Sequence, residues 1–325
     1  MSFKCLIVVL NRMIDWQVYN KKTLSHYLMK ACFWYDIKLL NFRAVIKGQG
    51  HMIPMWSRLM IELHSDCNRN CNFCPRYNDY SGIRKYKNGN RVKKQMPTWK
   101  IKDIIDQAVE LGFQGGVGFH RLSEPLMDDR YIEVGTYAKE KGLIIWDHTN
   151  ADIFKKNPDF IKEIDNLVDR LRIGLYDYKS QKEKYEQMKF WREQFNKTKI
   201  DFSLAAEYPR IRINSILEPD NNQDNLIKTF PCLQPMCYLS IRYDGELTLC
   251  CEDDQCMFGI GNVFEKSIKD LWLSKKHIEI VNTLKKNYGR LNFELCKRCN
   301  MLGYYSYKYS FFHVKSFYPT KSIHN

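Results

Sequence analysis

No apolar run in the chain approaches the length a membrane-crossing helix needs, so no membrane span is expected, and no membrane as partner. A secretory signal is also missing, because the apolar stretch at residues 5–10 is too short and no small-residue cleavage site follows it. There is no internal repeat and no long low-complexity run, which sets aside solenoid and repeat architectures. Acidic residues are the minority, 37 against 51 basic ones, for a formal net charge of +14. Such an excess can meet nucleic acid, an anionic surface or an acidic substrate. Here it is dispersed over Lys-rich helical faces at residues 182–189 and 275–286 and reads as solvated surface. No RNA-binding module is appended, so nucleic acid is not the expected partner.

What is present is ordinary for a globular protein: 325 residues, 44% hydrophobic and 27% charged, with twenty Tyr and eighteen Phe arguing against disorder. The exception is cysteine. Of twelve, ten fall into two groups with metal-ligand gaps, leaving Cys5 and Cys32 outside. Without a signal segment this usage points to a thiol-reducing, cytoplasmic setting rather than to disulfides.

The first group is Cys67-Asn68-Arg69-Asn70-Cys71-Asn72-Phe73-Cys74, three thiols within eight residues. A short irregular loop of this kind can hold three corners of an iron–sulfur cube and leave the fourth iron open to a reacting ligand. A structural zinc site is the alternative. It would need a fourth ligand, for which His64 is the nearby candidate.

Residues 59–63 read as a strand that delivers the chain into this loop, and residues 78–94 as a polar surface loop. Helical periodicity then covers 97–111, with Gly112 closing it. Strand and helix signals alternate after that: strands at 116–119, 143–146, 168–175, 200–204 and 211–217, helices at 130–140, 158–166 and 179–195. The alternation predicts successive βαβ units and a parallel sheet, with chemistry at the carboxyl ends of the strands. Residues 218–225 look like a linker. Beyond it lie a Cys-rich segment at 232–256 containing an Asp244-Gly245 hairpin turn, a helix from Ser267 to about Lys286, and the pair Cys296 and Cys299. The expected organisation is an N-terminal extension (1–57), a β/α unit (58–228), a small Cys-rich domain (229–301) and a basic aromatic tail (302–325). In the extension a strand at 3–10, a helix at 23–40 and a turn at 47–50 are expected.

Cys-x3-Cys-x-aromatic-Cys, with Phe73 in the aromatic slot, resembles the signature of radical S-adenosylmethionine enzymes. The resemblance implies a partial (β/α)6 TIM-like barrel, and a 4Fe–4S cluster on Cys67, Cys71 and Cys74. It further implies S-adenosylmethionine chelated at the open iron and cleaved to a 5′-deoxyadenosyl radical that abstracts hydrogen from substrate. Glu124-Pro125 matches the family's Gly-Glu-Pro, with Ser123 replacing the glycine, and makes Glu124 the contact for the cofactor's amino group. Thr149-Asn150-Ala151 resembles the family's Thr-Asn-Gly and makes Asn150 a cofactor or substrate contact, or a plain turn residue. Asp147 and His148 could carry proton chemistry or close the strand. Arg172, Arg210 and Arg212 could meet a carboxylate if they point inward.

The C-terminal cysteines, with Cys250-Cys251-Glu252-Asp253, Gly261-Asn262-Val263 and Leu271-Trp272, resemble the twitch form of the SPASM domain. That implies one auxiliary 4Fe–4S cluster on Cys232, Cys250, Cys296 and Cys299, with Cys251 a substitute for Cys250 and Cys237 and Cys256 unassigned. A zinc knuckle is the alternative here too. The implied function is oxidation or rearrangement of a small polar metabolite, sugar-like or aminocyclitol-like, with a reductase, flavodoxin or ferredoxin as electron donor. The rivals are a peptide-modifying maturase, although residues 1–57 do not read as a leader-binding winged helix, an RNA-modifying enzyme, and a non-enzymatic zinc protein.

Overall fold

A computed structural model of the chain describes residues 56, 58–71, 73–74, 86–87, 90–91, 93–204, 228–299 and 301. The expectations for residues 1–50, for the strand at 211–217, for Arg210 and Arg212, and for the tail lie outside these residues.

Nine strands and nine α-helices run through the described residues. The strands are β1 (Arg58–Ile61), β2 (Tyr86–Lys87), β3 (Asn90–Arg91), β4 (Gly116–Gly118), β5 (Ile144–Thr149), β6 (Arg170–Gly174), β7 (Lys199–Ser203), β8 (Tyr238–Ile241) and β9 (Leu247–Thr248). The helices are α1 (Thr98–Glu110), α2 (Tyr131–Glu140), α3 (Asp152–Lys156), α4 (Phe160–Leu167), α5 (Gln181–Glu193), α6 (Gln234–Cys237), α7 (Ile268–Trp272), α8 (Lys275–Leu284) and α9 (Glu294–Arg298). β2 and β3 form a small antiparallel hairpin inside the stretch expected to be a loop.

Seven strands make one sheet in the order β7-β6-β5-β4-β1-β8-β9. β7, β6, β5, β4, β1 and β8 are mutually parallel and β9 returns antiparallel to β8. The β/α alternation therefore holds. One feature of the order is not local in sequence: β8, from the Cys-rich segment, pairs with β1 over four residues, Arg58↔Tyr238 to Ile61↔Ile241. The C-terminal segment thus continues the sheet of the β/α unit.

The two faces of the sheet are unlike. Asp147 of β5 meets Tyr131 of α2 at 3.0 Å, and Ile145 packs toward Gly135 of the same helix, so the odd positions of β5 face the helical layer. The even positions face the concave side. Trp146 lies across Gly116, where a Cβ would come within 2.6 Å of its ring. It also meets Tyr238 of β8 edge to face at 6.1 Å, across two intervening strands, which requires the sheet to curl.

The helix expected from Ser267 to about Lys286 is two helices. Ser267 accepts from Asp270 N at 3.1 Å and Ser274 from His277 N at 3.3 Å, so each serine caps its own N-terminus. The short helix α3 was not expected. Ala151, at φ +62°, turns the chain into it.

Candidate active site

The cysteine loop leaves the carboxyl end of β1 and is held at its root by His64, which is fully buried. Asp66 N donates to His64 Nδ1 at 3.0 Å, which leaves Nε2 as the donor to Glu124 O at 3.1 Å. Burial pulls its pKa down, and the neighbouring Lys93 adds to the effect. With both nitrogens used, His64 is not a fourth ligand. The zinc reading of the triplet loses its candidate.

Along the loop Asp66 Oδ1 accepts from Cys67 N at 2.8 Å, and Cys74 N donates to Cys71 O at 3.0 Å. Cys67, Cys71 and Cys74 form no disulfides and are partly exposed. Burial, then Cys74, pushes the Cys71 thiol up to about 11, against the pull of Arg69. Among the described residues no three His, Cys, Asp or Glu side chains gather to the spacing of a single metal ion. A cube, with a separate iron at each corner, asks for a wider spread of thiolates.

Two contacts fasten the loop to neighbouring strand ends. Arg69 forks between Asp152 (Nε–Oδ2 2.6 Å) and Asp177 (Nη2–Oδ2 2.7 Å), beyond β5 and β6 respectively. Phe73 meets the Tyr176 ring at 5.2 Å. Tyr176 in turn folds back over Gly174, where any Cβ would collide with it.

Glu124 lies at the meeting point of the motifs and is only 3% exposed. Its carboxylate accepts from Thr149 Oγ1 at 2.6 Å, Asn150 N at 2.7 Å and Leu126 N at 3.3 Å. Burial pushes its pKa up to about 7, with those hydrogen bonds opposing. No cation pairs with it among the described residues. Asn150 Nδ2 donates to Asn68 Oδ1 at 2.7 Å and approaches Cys67 Sγ at 3.9 Å, while its Oδ1 accepts from Asp152 N at 2.9 Å. Three segments separated in sequence, at residues 67–74, 123–125 and 149–151, therefore converge.

The donor set suits S-adenosylmethionine bound at a cluster. Glu124 is a buried carboxylate with no counter-cation among the described residues, which an ammonium group would supply. Ser123 Oγ, at the position where the motif it resembles has glycine, is buried without a hydrogen-bond partner among the described residues.

The concave face beside these residues is polar. Glu62, fully buried, accepts from Leu122 N at 3.0 Å. His120 Nδ1 is 2.6 Å from Asp147 Oδ1, and its ring stands 4.7 Å from Trp146 and 5.7 Å from His148. Asp147 is fully buried and also accepts from Phe119 N and Tyr131 Oη, both at 3.0 Å, and from His148 N at 2.9 Å. Arg172 sits on β6 at the register of Asp201. Arg69, Asp177, Tyr176 and His120 had no role in the sequence reading. Arg69 stands inside the quoted cysteine motif and His120 just after a predicted strand, but their partners lie 27 to 108 residues away.

At the C-terminal site Cys232 acts electrostatically on Cys250, Cys296 and Cys299, which places it among the other three. Cys250 and Cys296 are buried, and Cys232 and Cys299 partly so. Cys251 turns to Gln234 Nε2 at 3.7 Å and Glu252 Oε1 at 3.4 Å. Cys237 is buried just before β8. Cys256, at φ +55°, lies under the opposing influence of burial and of Arg121 and Arg242. Arg121, on the loop after β4, donates to Asp253 O, while the Asp253 carboxylate accepts from Leu249 N at 3.1 Å and Met257 N at 2.9 Å. A β/α-unit side chain thus grips the loop that carries Cys250.

Residues 232–300 match the SPASM family, an iron-sulfur cluster-binding domain. The chain is 24% identical over 262 residues to S-adenosyl-L-methionine-dependent 2-deoxy-scyllo-inosamine dehydrogenase of Niallia circulans, covering 77% of this chain and 94% of the relative. The fold is also that of solved structures. BtrN in complex with AdoMet and 2-DOIA aligns with TM-score 0.59 at 22% identity, over 77% of this chain and 94% of that one. An open conformation of BtrN aligns with TM-score 0.54 at 21% identity, over 76% and 93%.

Proposed function

We propose that this chain, a radical S-adenosylmethionine enzyme with a C-terminal SPASM domain, is a dehydrogenase of a small polyhydroxylated metabolite of the aminocyclitol class. The carrying observation is the likeness to the 2-deoxy-scyllo-inosamine dehydrogenase over 94% of that protein's length. The polar concave face between His120, His148 and Glu62 suits such a substrate.

Cys67, Cys71 and Cys74 would hold one 4Fe–4S cluster, and Cys232, Cys250, Cys296 and Cys299 the auxiliary one. When bound, the first cluster with S-adenosylmethionine supplies hydrogen-atom abstraction at an unactivated C–H bond, and the auxiliary cluster supplies a one-electron acceptor. Glu124 would pair with the cofactor's ammonium group and Ser123 would donate its hydroxyl to it, while Asn150 stays fixed beside Cys67. Phe73, against Tyr176, would hold the loop in place beside the cofactor.

Oxidising a carbinol to a ketone also requires the hydroxyl proton to leave. His120 takes it. Asp147, saturated with donors, holds the proton on His120 Nδ1 and leaves the Nε2 lone pair as acceptor. The O–H bond breaks, an N–H bond forms at Nε2, and the imidazolium gains its counter-charge from Asp147.

The test is anaerobic reconstitution followed by reductant, S-adenosylmethionine and 2-deoxy-scyllo-inosamine. The reading predicts 5′-deoxyadenosine and a ketone in equal amounts. 5′-Deoxyadenosine without any ketone would reject this substrate class, and no 5′-deoxyadenosine from the loaded protein would reject the chemistry.

A further inference from the structure

Arg290 is a guanidinium 1% exposed, one of the largest fully buried side chains among the described residues. It lies on a single 3-10 turn, Gly289–Asn292, which follows α8. Gly289 lets that turn sit against the last turn of α8, where a Cβ would collide with Thr283 O. The guanidinium donates to three backbone carbonyls: Phe230 O at 3.3 Å (from Nε), Pro231 O at 3.4 Å (from Nη2) and Met301 O at 2.6 Å (from Nη1). Phe230 and Pro231 lead directly into Cys232, and Met301 follows Cys299 by two residues. Cys232 N itself donates to Leu284 O at 2.8 Å on α8. One side chain therefore joins the two ends of the segment that carries the four thiols.

Carbonyl dipoles satisfy the N–H groups of a buried guanidinium, but they do not cancel its charge. Among the charged neighbours acting on Cys296 and Cys299, Arg290 is the cation, and Asp253 and Glu252 are anions. A cube held by four thiolates is net negative and becomes more so on reduction. Its potential follows the charges and hydrogen bonds around it. A cation fixed inside the domain favours the reduced state and so makes the cluster a better electron acceptor.

We infer that Arg290 is a positioning residue for the auxiliary cluster, clamping the chain ends that bear Cys232 and Cys299 and raising the cluster's reduction potential. The inference rests on the reading of Cys232, Cys250, Cys296 and Cys299 as ligands. It concerns which residue tunes the site, whatever the substrate.

The test uses the full-length Cys71→Ala chain, which leaves one cluster to titrate, and adds Arg290→Gln or Arg290→Lys. Iron is counted first, then the potential is measured by spectroscopic redox titration, then iron loss is timed under a chelator. Arg290→Gln is expected to shift the potential to more negative values. Arg290→Lys keeps the charge but cannot span three carbonyls, so its potential should stay near that of the parent while its iron leaves faster. An unshifted potential in a loaded Arg290→Gln protein overturns the assignment to Arg290 alone. If Arg290→Gln does not load, Arg290→Lys decides. Iron held as long as in the parent, or a potential that falls as though the charge were gone, overturns the proposal. A parent Cys71→Ala chain that holds no cluster overturns the ligand reading as well.

Discussion

The two thiol sites are built in opposite ways. The one on the β/α unit offers three thiols, all partly exposed, on a loop tied down from outside by side-chain ion pairs and a ring contact. The C-terminal one offers four thiols, two of them buried, in a segment tied from inside by a guanidinium bonded to backbone carbonyls. A site with three candidate thiol ligands, beside a buried carboxylate that has no counter-cation among the described residues, is suited to binding a reactant. A site that offers four thiols, half of them buried, is suited to exchanging electrons. The difference in construction matches the division of labour proposed for the two clusters.

The largest effect that could break this contrast comes from removing one ligand on each side. Cys71→Ala should lose one cluster, about four irons, and all 5′-deoxyadenosine formation. Cys296→Ala should lose as much iron yet still form 5′-deoxyadenosine, with no ketone. Identical product loss in both variants, measured by chromatography beside an iron assay, would erase the distinction.

Next in size is His120→Gln. Turnover to ketone should fall by about 10²–10⁴-fold, while the substrate-derived radical accumulates in freeze-quenched EPR spectra. A variant that makes ketone normally removes His120 from the proton path.

Glu124→Gln sharpens the comparison differently, because it exchanges function for stability. The folded protein holds the Glu124 proton more tightly than the unfolded chain, with a pKa near 7 instead of 4.5. The folded state therefore binds more protons across that window, and its stability falls as pH rises from 4.5 to about 7. Without S-adenosylmethionine, Glu124→Gln should gain on the wild type from pH 5 to pH 8 in thermal melts. Loss of a charge-assisted contact should weaken cofactor binding by about 10- to 100-fold. A stability difference independent of pH would contradict the account.

The smallest effect is expected at Ala151, whose left-handed φ of +62° strains a side chain. Ala151→Gly should stabilise the protein by about 1 kcal/mol, a shift of roughly 2–4 °C in melting temperature. The position also explains why Thr149-Asn150-Ala151 resembles a Thr-Asn-Gly sequence.

Legibility in the sequence divides along similar lines. The thiol spacings, Glu124-Pro125 and Thr149-Asn150 could be read because each is local and follows a strand. The strands themselves showed through period and length, although their ends moved by a few residues, as at β5, which runs on to Thr149. The break between α7 and α8 was written in Ser267 and Ser274, two capping residues inside one apolar pattern. The pairing of β8 with β1, the fork from Arg69 to Asp152 and Asp177, and the burial of Arg290 were not legible. Each depends on which distant segments the sheet brings together, and Arg290 in the sequence is one basic residue among many.

The central claim is that one site is open and the other closed. Mössbauer spectra of the ⁵⁷Fe-loaded wild-type protein, recorded before and after adding S-adenosylmethionine, test it most directly. The account predicts that about one iron in eight changes its ligation and that this response is absent in Cys71→Ala but kept in Cys296→Ala. No change on adding the cofactor, or a response that survives in Cys71→Ala and is lost in Cys296→Ala, would contradict it.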